Sequence, residues 1–184
     1  MECGLLFSAG KDSSLSALLL EEFYDVTLVT ATFGITDDWT HARDAAGALG
    51  FPFERVELSE DVAREATDRM REDGFPRAGI QAVHEAALEA VADRYDVVAD
   101  GTRRDDRVPS VSRAFAQSLE DRHDIDYLSP LAGFGRSAVD RLVAETLEVE
   151  TGPSEQISKA DYEGELRALL ADEYGPAAVR AVFP

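Results

Sequence analysis

Ser8-Ala9-Gly10-Lys11-Asp12-Ser13-Ser14 lies between a short apolar run, Gly4 to Phe7, and an amphipathic one in which Leu15, Leu18, Leu19 and Phe23 fall at helical spacing. The order is strand, small-residue loop, helix. Gly10 lets the backbone turn and approach a ligand closely. Asp12, Ser13 or Ser14 is placed to cap the helix that follows. Free amides at such a helix start, with the positive end of its dipole, make an anion site. The stretch is not a Walker loop, because the four-residue spacer and the Gly-Lys-Ser/Thr ending are missing.

The same alternation continues along the chain. Val26 to Phe33 is an unbroken β-branched and apolar run, suited to a strand covered on both faces. A helix starting near Thr36-Asp37-Asp38 carries Trp39, Ala42, Ala46 and Leu49 on one face and stops at Gly50 and Pro52. Phe53 to Leu58 reads as a third strand, and Ser59 as the cap of a helix with Val62, Ala66 and Met70 inward. Ile80, Val83, Ala87, Leu88 and Val91 mark a long helix leading to a short fourth strand, Asp96 to Asp100. Val111, Phe115 and Leu119 mark another helix, and Tyr127 to Leu131 a fifth strand limited by Pro130. One more amphipathic face runs through Val139, Leu142, Val143, Thr146 and Leu147. Thr151-Gly152-Pro153 is the one boundary, dividing residues 1–150 from a tail, 151–184, with a single helix through Leu166, Leu169, Leu170 and Tyr174. Strands alternating with helices imply right-handed βαβ units in a doubly wound parallel α/β sheet. Strand order is left open by the residues themselves.

Composition narrows the setting. The 184 residues suit one α/β domain with a short extension. The formal charge is -19, and Lys11 and Lys159 are the only lysines beside 16 arginines. Such self-repulsion is relieved by salt, so we expect a cytoplasmic protein from a halophilic cell with high internal salt. Cys3 is the single cysteine, which excludes an intramolecular disulfide, a zinc cluster or a redox pair. Histidines 41, 84 and 123 lack ligand spacing and read as surface or packed residues. No apolar run approaches membrane length.

With Ala9 in place of a usual glycine, the opening stretch resembles the Ser-Gly-Gly-x-Asp-Ser loop of the PP-loop ATPases, the N-type ATP pyrophosphatases. Gly101-Thr102-Arg103-Arg104-Asp105-Asp106 is similar to that family's second signature. The whole chain looks like the small archaeal members described as adenine nucleotide alpha hydrolase-like, or as relatives of tRNA 2-thiouridine synthesis proteins. The resemblance implies a Rossmann-like sheet of order 3-2-1-4-5, helices on both faces, and a short helical C-terminal tail. Ligands of such sheets bind beyond the carboxyl ends of the strands at the switch point. There, the loop at Ser8 and the loop at Gly101 would flank one crevice.

What the resemblance further implies is ATP binding with Mg²⁺, cleavage to AMP and pyrophosphate, and adenylation of an acceptor such as a tRNA base. Ser8, Ala9, Gly10, Lys11, Asp12, Ser13 and Ser14 would hold phosphates, with Gly101, Thr102 and Arg103 opposite. Ala31 and Phe33, at the end of the second strand, would receive adenine; Phe33 equally suits the core. Lys11 either neutralises phosphate or is a solvated loop residue. Asp12 is a metal ligand or a plain cap, and Asp105 or Asp106 is a second metal candidate. Lys11, Asp12 and Asp106 are the catalytic candidates. Arg103, Arg104, Arg107 and Arg113 form the most basic island, able to grip phosphate or to pair with Asp105 and Asp106. Lys159 would reach over the site or lie in a solvated turn. The paired cysteines of some tRNA-thiolating relatives are missing, and the net charge opposes phosphate polymers. A tRNA or a sulfur-delivering protein is the expected partner, and a homodimer is left open. Two other readings stand beside this one: a non-catalytic nucleotide sensor on the same fold, and a subunit active only within a complex.

Overall fold

Along Glu2–Leu6 (β1) and Asp25–Thr32 (β2), alternate side chains enter two different cores. Cys3, Leu5, Val26 and Leu28 face one set of helices, and Leu6, Val29 and Ala31 face the other. The register pairs Leu5 with Leu28 and Leu6 with Val29. A strand buried on both faces has no polar side to spare, which is why both runs are apolar. The computed structural model describes residues 1–147 and 160–183.

Phe53–Glu57 (β3) joins the free edge of β2, while Val97–Ala99 (β4) and Asp126–Leu128 (β5) extend the sheet beyond β1. All four pairings are parallel, and the order is β3-β2-β1-β4-β5. This is the expected Rossmann-like arrangement, with the switch point between β1 and β4. The helices Lys11–Leu20 (α1) and Trp39–Leu49 (α2) cover one face. Arg136–Thr146 (α6) packs on α1 through Leu15, Leu131, Val139 and Val143. Glu60–Asp73 (α3), Arg77–Ala92 (α4), Arg113–His123 (α5), Tyr162–Tyr174 (α7) and Pro176–Val182 (α8) contribute to the core on the other. The oxygen of Ser59 accepts from the Asp61 amide at the start of α3, as its place before an apolar period predicts.

Several local expectations change. Phe23 is 78% exposed rather than inward, because α1 ends at Leu20 and the chain turns there, Phe23 N donating to Leu20 O. In its place Ser13, Ser14 and Ser16 are buried, since the front of α1 lies under a neighbouring loop. The C-terminal region contains two helices rather than one: Pro176 opens α8 at a position where its missing N–H has no helical acceptor to lose. Leu166, Leu169, Leu170 and Val182 join Met70, Val83 and Leu88 in one core, so α7 and α8 are packed into the body of the domain. Tyr174 donates to Asp68 at 2.9 Å and lies under Arg71, 3.7 Å from its ring centre. The expected boundary at Thr151–Pro153, and Lys159, fall outside the described residues. No helix among the described residues is long and apolar enough to cross a membrane.

Ala9, the position where the opening loop departs from the resemblance, has φ 58°. That is left-handed backbone, where a Cβ is strained and glycine is not. Ala9→Gly is expected to stabilise the protein by about 1 kcal/mol, measured by denaturant unfolding in high salt.

Candidate functional site

The front of α1 is set by its backbone. Gly10 is the N-cap, with φ -80° and ψ 158°, and no side chain caps the helix. The expected capping by Asp12, Ser13 or Ser14 does not occur, because Lys11 already begins the helix and these residues lie within its first turn. The Ser13 hydroxyl instead donates back to Gly10 O at 3.0 Å, and the Ser16 hydroxyl to Asp12 O at 2.9 Å. The leading amides therefore keep their field for something outside the helix.

Gly101 follows β4 and lies directly on this turn. A Cβ at Gly101 would stand 2.9 Å from Ser13 N and 3.0 Å from its Cα, closer than atoms pack. Only a bare α-carbon lets the two loops meet. The loop Ser8–Ser14 and the loop from Gly101 to Arg103 thus meet, Gly101 packing on Ser13 and Arg103 facing Asp12.

Charges in the crevice are paired. Lys11 bonds Asp140 on α6, which also faces Arg136 at 3.8 Å. Arg103 reaches Asp106 at 2.7 and 3.2 Å, Asp12 at 3.6 Å and Asp105 at 3.9 Å. The Arg103 amide also donates to Asp106 at 2.8 Å. Both oxygens of Asp106 are thereby engaged, and the three candidate carboxylates surround a guanidinium. Among the described residues no group of three or more His, Cys, Asp or Glu side chains is shaped to hold a metal. Asp12 is the residue with capacity left: its Oδ1 is buried and has no hydrogen-bond partner. Burial pushes the Asp12 carboxyl above its ordinary value, Arg103 and Lys11 pull it down, and Asp106 and Asp140 push it up again; the balance is upward. The arginines 104, 107 and 113 are exposed.

Behind the second loop lies a polar network that the spacing of residues alone did not reveal. Asp100, at the end of β4, is 1% exposed, and His84 on α4 is 4% exposed. Asp100 Oδ1 accepts from the Thr102 amide at 2.9 Å and from its hydroxyl at 2.6 Å. Its Oδ2 accepts from Tyr127 at 2.9 Å and contacts His84 Nε2 at 2.8 Å. Burial would raise the Asp100 carboxyl, but His84 and Thr102 outweigh it and hold it below its ordinary value. An ionised carboxylate only accepts, so His84 Nε2 carries the proton. Its Nδ1 lies 2.8 Å from the Tyr162 hydroxyl of α7, within hydrogen-bond distance. His84 is packed, as its lack of ligand spacing implied; its place in the apolar stripe of α4 was the available signal.

The end of β2 is also occupied from within. Glu165 of α7, 4% exposed, accepts from Thr32 Oγ1 at 2.8 Å, Phe33 N at 2.9 Å and Ile35 N at 3.0 Å. Ala31 and Phe33 are buried in the core, and the Phe33 amide is committed to Glu165 rather than open to a base. Ala160 N donates to Ser8 O at 3.2 Å, so the chain entering α7 crosses above β1 and β2. A shallow crevice remains beside β2, lined by Ala31, Thr36, Trp39, Ala160 and Glu165.

Fold and site together define a Rossmann-like α/β protein whose loops after β1 and β4 meet at the switch point. Across residues 1–184 the chain matches, and belongs to, a family of unknown function, DUF7411. It is 41% identical over 173 residues to the uncharacterized protein MJ0690 of Methanocaldococcus jannaschii, covering 94% of this chain and 86% of that one. A crystal structure from the same organism, described as a predicted subunit of tRNA methyltransferase, superposes with a TM-score of 0.90. The two are 39% identical, over 100% of this chain and 92% of the other.

Two outcomes follow from this geometry. Gly101→Ala is expected to destabilise the protein by about 1–3 kcal/mol, since the clash is with backbone that cannot rotate away. Asp12 binds its proton more tightly folded than unfolded, so its ionised form opposes folding at neutral pH and that cost disappears as pH falls through the folded value. Asp12→Asn is therefore expected to raise the thermal midpoint by a few degrees at pH 7, with the gain shrinking in acid; calorimetry against pH measures both.

Proposed function

We propose that this protein binds ATP in the crevice between the Ser8–Ser14 and Gly101–Asp106 loops and cleaves it between the α and β phosphates. One observation carries the reading: the start of α1 has no side-chain cap and lies against Gly101, with Lys11 and Arg103 beside it. Oriented amides, a lysine and an arginine suit the departing pyrophosphate. The resemblance of both loops to PP-loop signatures supports the same reading.

In this scheme an acceptor oxygen attacks the α phosphorus, the α–β bridging bond breaks, and pyrophosphate leaves. A sulfur or nitrogen nucleophile then attacks the acceptor carbon, and AMP leaves carrying the acceptor oxygen. The chain supplies positioning and charge stabilisation for pyrophosphate as the bond breaks. A Mg²⁺ ion accompanying the nucleotide fits Asp12, whose buried oxygen lacks a partner, because that ion needs one or two carboxylates plus phosphate oxygens. It would neutralise charge on those phosphates. Asp105 and Asp106 serve it only if Arg103 leaves them for phosphate.

A tRNA base is the acceptor we favour. The similar protein described as a predicted tRNA methyltransferase subunit supports RNA as the partner class. The second reading is a subunit that works only within a complex, and two observations favour it. Lys11 and Arg103 are neutralised by Asp140 and Asp106, and Glu165 holds the Phe33 amide where a base would dock.

Product analysis of ATP in high KCl with Mg²⁺, with and without bulk tRNA, separates the readings. AMP plus pyrophosphate, lost in Asp12→Ala, is the expected result, and stimulation by tRNA would identify the acceptor class. ADP as product contradicts α–β cleavage. Tight ATP binding without turnover moves the conclusion to a non-catalytic nucleotide sensor or to the complex-dependent subunit.

A further inference from the structure

Tyr162, His84, Asp100 and Thr102 form an unbroken hydrogen-bonded line from α7 to the loop that lies on α1. Its links are 2.8 Å from Tyr162 to His84, 2.8 Å from His84 to Asp100, and 2.9 and 2.6 Å from Thr102 to Asp100. Ser129 closes the far end, its hydroxyl donating to Thr102 O at 2.8 Å. The middle of the line is sealed from water, so a lost bond there is not replaced by solvent.

We infer that His84 and Asp100 are positioning residues for the crevice. Through Thr102 they hold Gly101 against the first turn of α1, and through Tyr162 they make that placement depend on docking of α7. The inference builds on the proposed anion site, because the placement matters to function only if a phosphate group binds at that turn.

The chemistry of the line explains why each residue type is needed. Asp100 takes both donors of Thr102, which fixes the direction in which the chain leaves β4. A carboxylate this deeply buried must have its other oxygen satisfied as well, and His84 Nε2 and Tyr127 do so. The imidazole must then be held in one orientation, which is the part played by the Tyr162 hydroxyl. Tyr162 lies at the first position of α7, three residues before Glu165 and two after Ala160. The segment that covers β1 and β2 therefore also sets the loop after β4. Withdrawal of α7 would free the amides after β2 and loosen Gly101 together, so one element governs both sides of the crevice.

The test compares Tyr162→Phe with Val26→Ala, which removes core packing at the amino end of β2, in the core opposite α7, without touching the line. Hydrogen exchange is read at the Thr102 amide relative to the Leu5 amide in β1, and pyrophosphate affinity is read by calorimetry in high KCl. Tyr162→Phe is expected to speed relative exchange at Thr102 about tenfold and to weaken pyrophosphate binding by a similar factor, the consequence of one lost buried hydrogen bond. Val26→Ala is expected to leave both ratios unchanged, although it lowers overall stability. Wild-type exchange at Thr102 in Tyr162→Phe, or an equal effect from Val26→Ala, overturns the inference. Should pyrophosphate bind neither protein, the anion site fails while exchange at Thr102 still decides the positioning role.

Discussion

Asp100 is a carboxylate held inside the protein, and the crevice is arranged around satisfying it. An unpaired charge at that depth would cost several kcal/mol, so each of its oxygens must find donors with good geometry. The donors come from four different places: α4, β5, the loop after β4 and, one bond further back, α7. No two of these elements are adjacent in the chain. Their common dependence on one carboxylate ties the back of the site to the C-terminal helices. The loop carrying Gly101 is consequently fixed in the place where a glycine, and nothing larger, fits against α1.

The front of the site follows a different principle. Its ion pairs are partly exposed, and such pairs contribute little to stability because water and salt screen them. They can be exchanged for a phosphate at small cost. Lys11 would trade Asp140, and Arg103 would trade Asp106, for the oxygens of a ligand. A rigid, buried rear and an exchangeable, charged front are what an anion site needs when the anion must both arrive and leave.

Much of the fold was legible because parallel strands covered on both faces leave continuous apolar runs, and β2 is such a run. The loop at Ser8 was legible as a strand-to-helix junction, and the resemblance supplied the strand order that periodicity leaves open. What could not be read arose from long-range contact. Phe23 continues the apolar spacing of α1, but the helix stops before it, and buried serines take its place beneath Gly101. Ala9 looks like a neutral replacement until its backbone proves left-handed. His84, Asp100, Tyr162 and Glu165 are distant in sequence and meet only after folding. Two of them did leave a trace: His84 and Glu165 are polar residues set in the buried stripes of α4 and α7.

The central claim is that the uncapped start of α1 receives phosphate. A crystal structure with an ATP analogue that resists α–β cleavage, grown in high KCl with Mg²⁺, tests it most directly. The account predicts the β and γ phosphates against the amides of Lys11, Asp12 and Ser13, with Arg103 turned from Asp106 toward phosphate. Phosphates bound elsewhere, or an unchanged Lys11–Asp140 pair beneath a bound nucleotide, would contradict it.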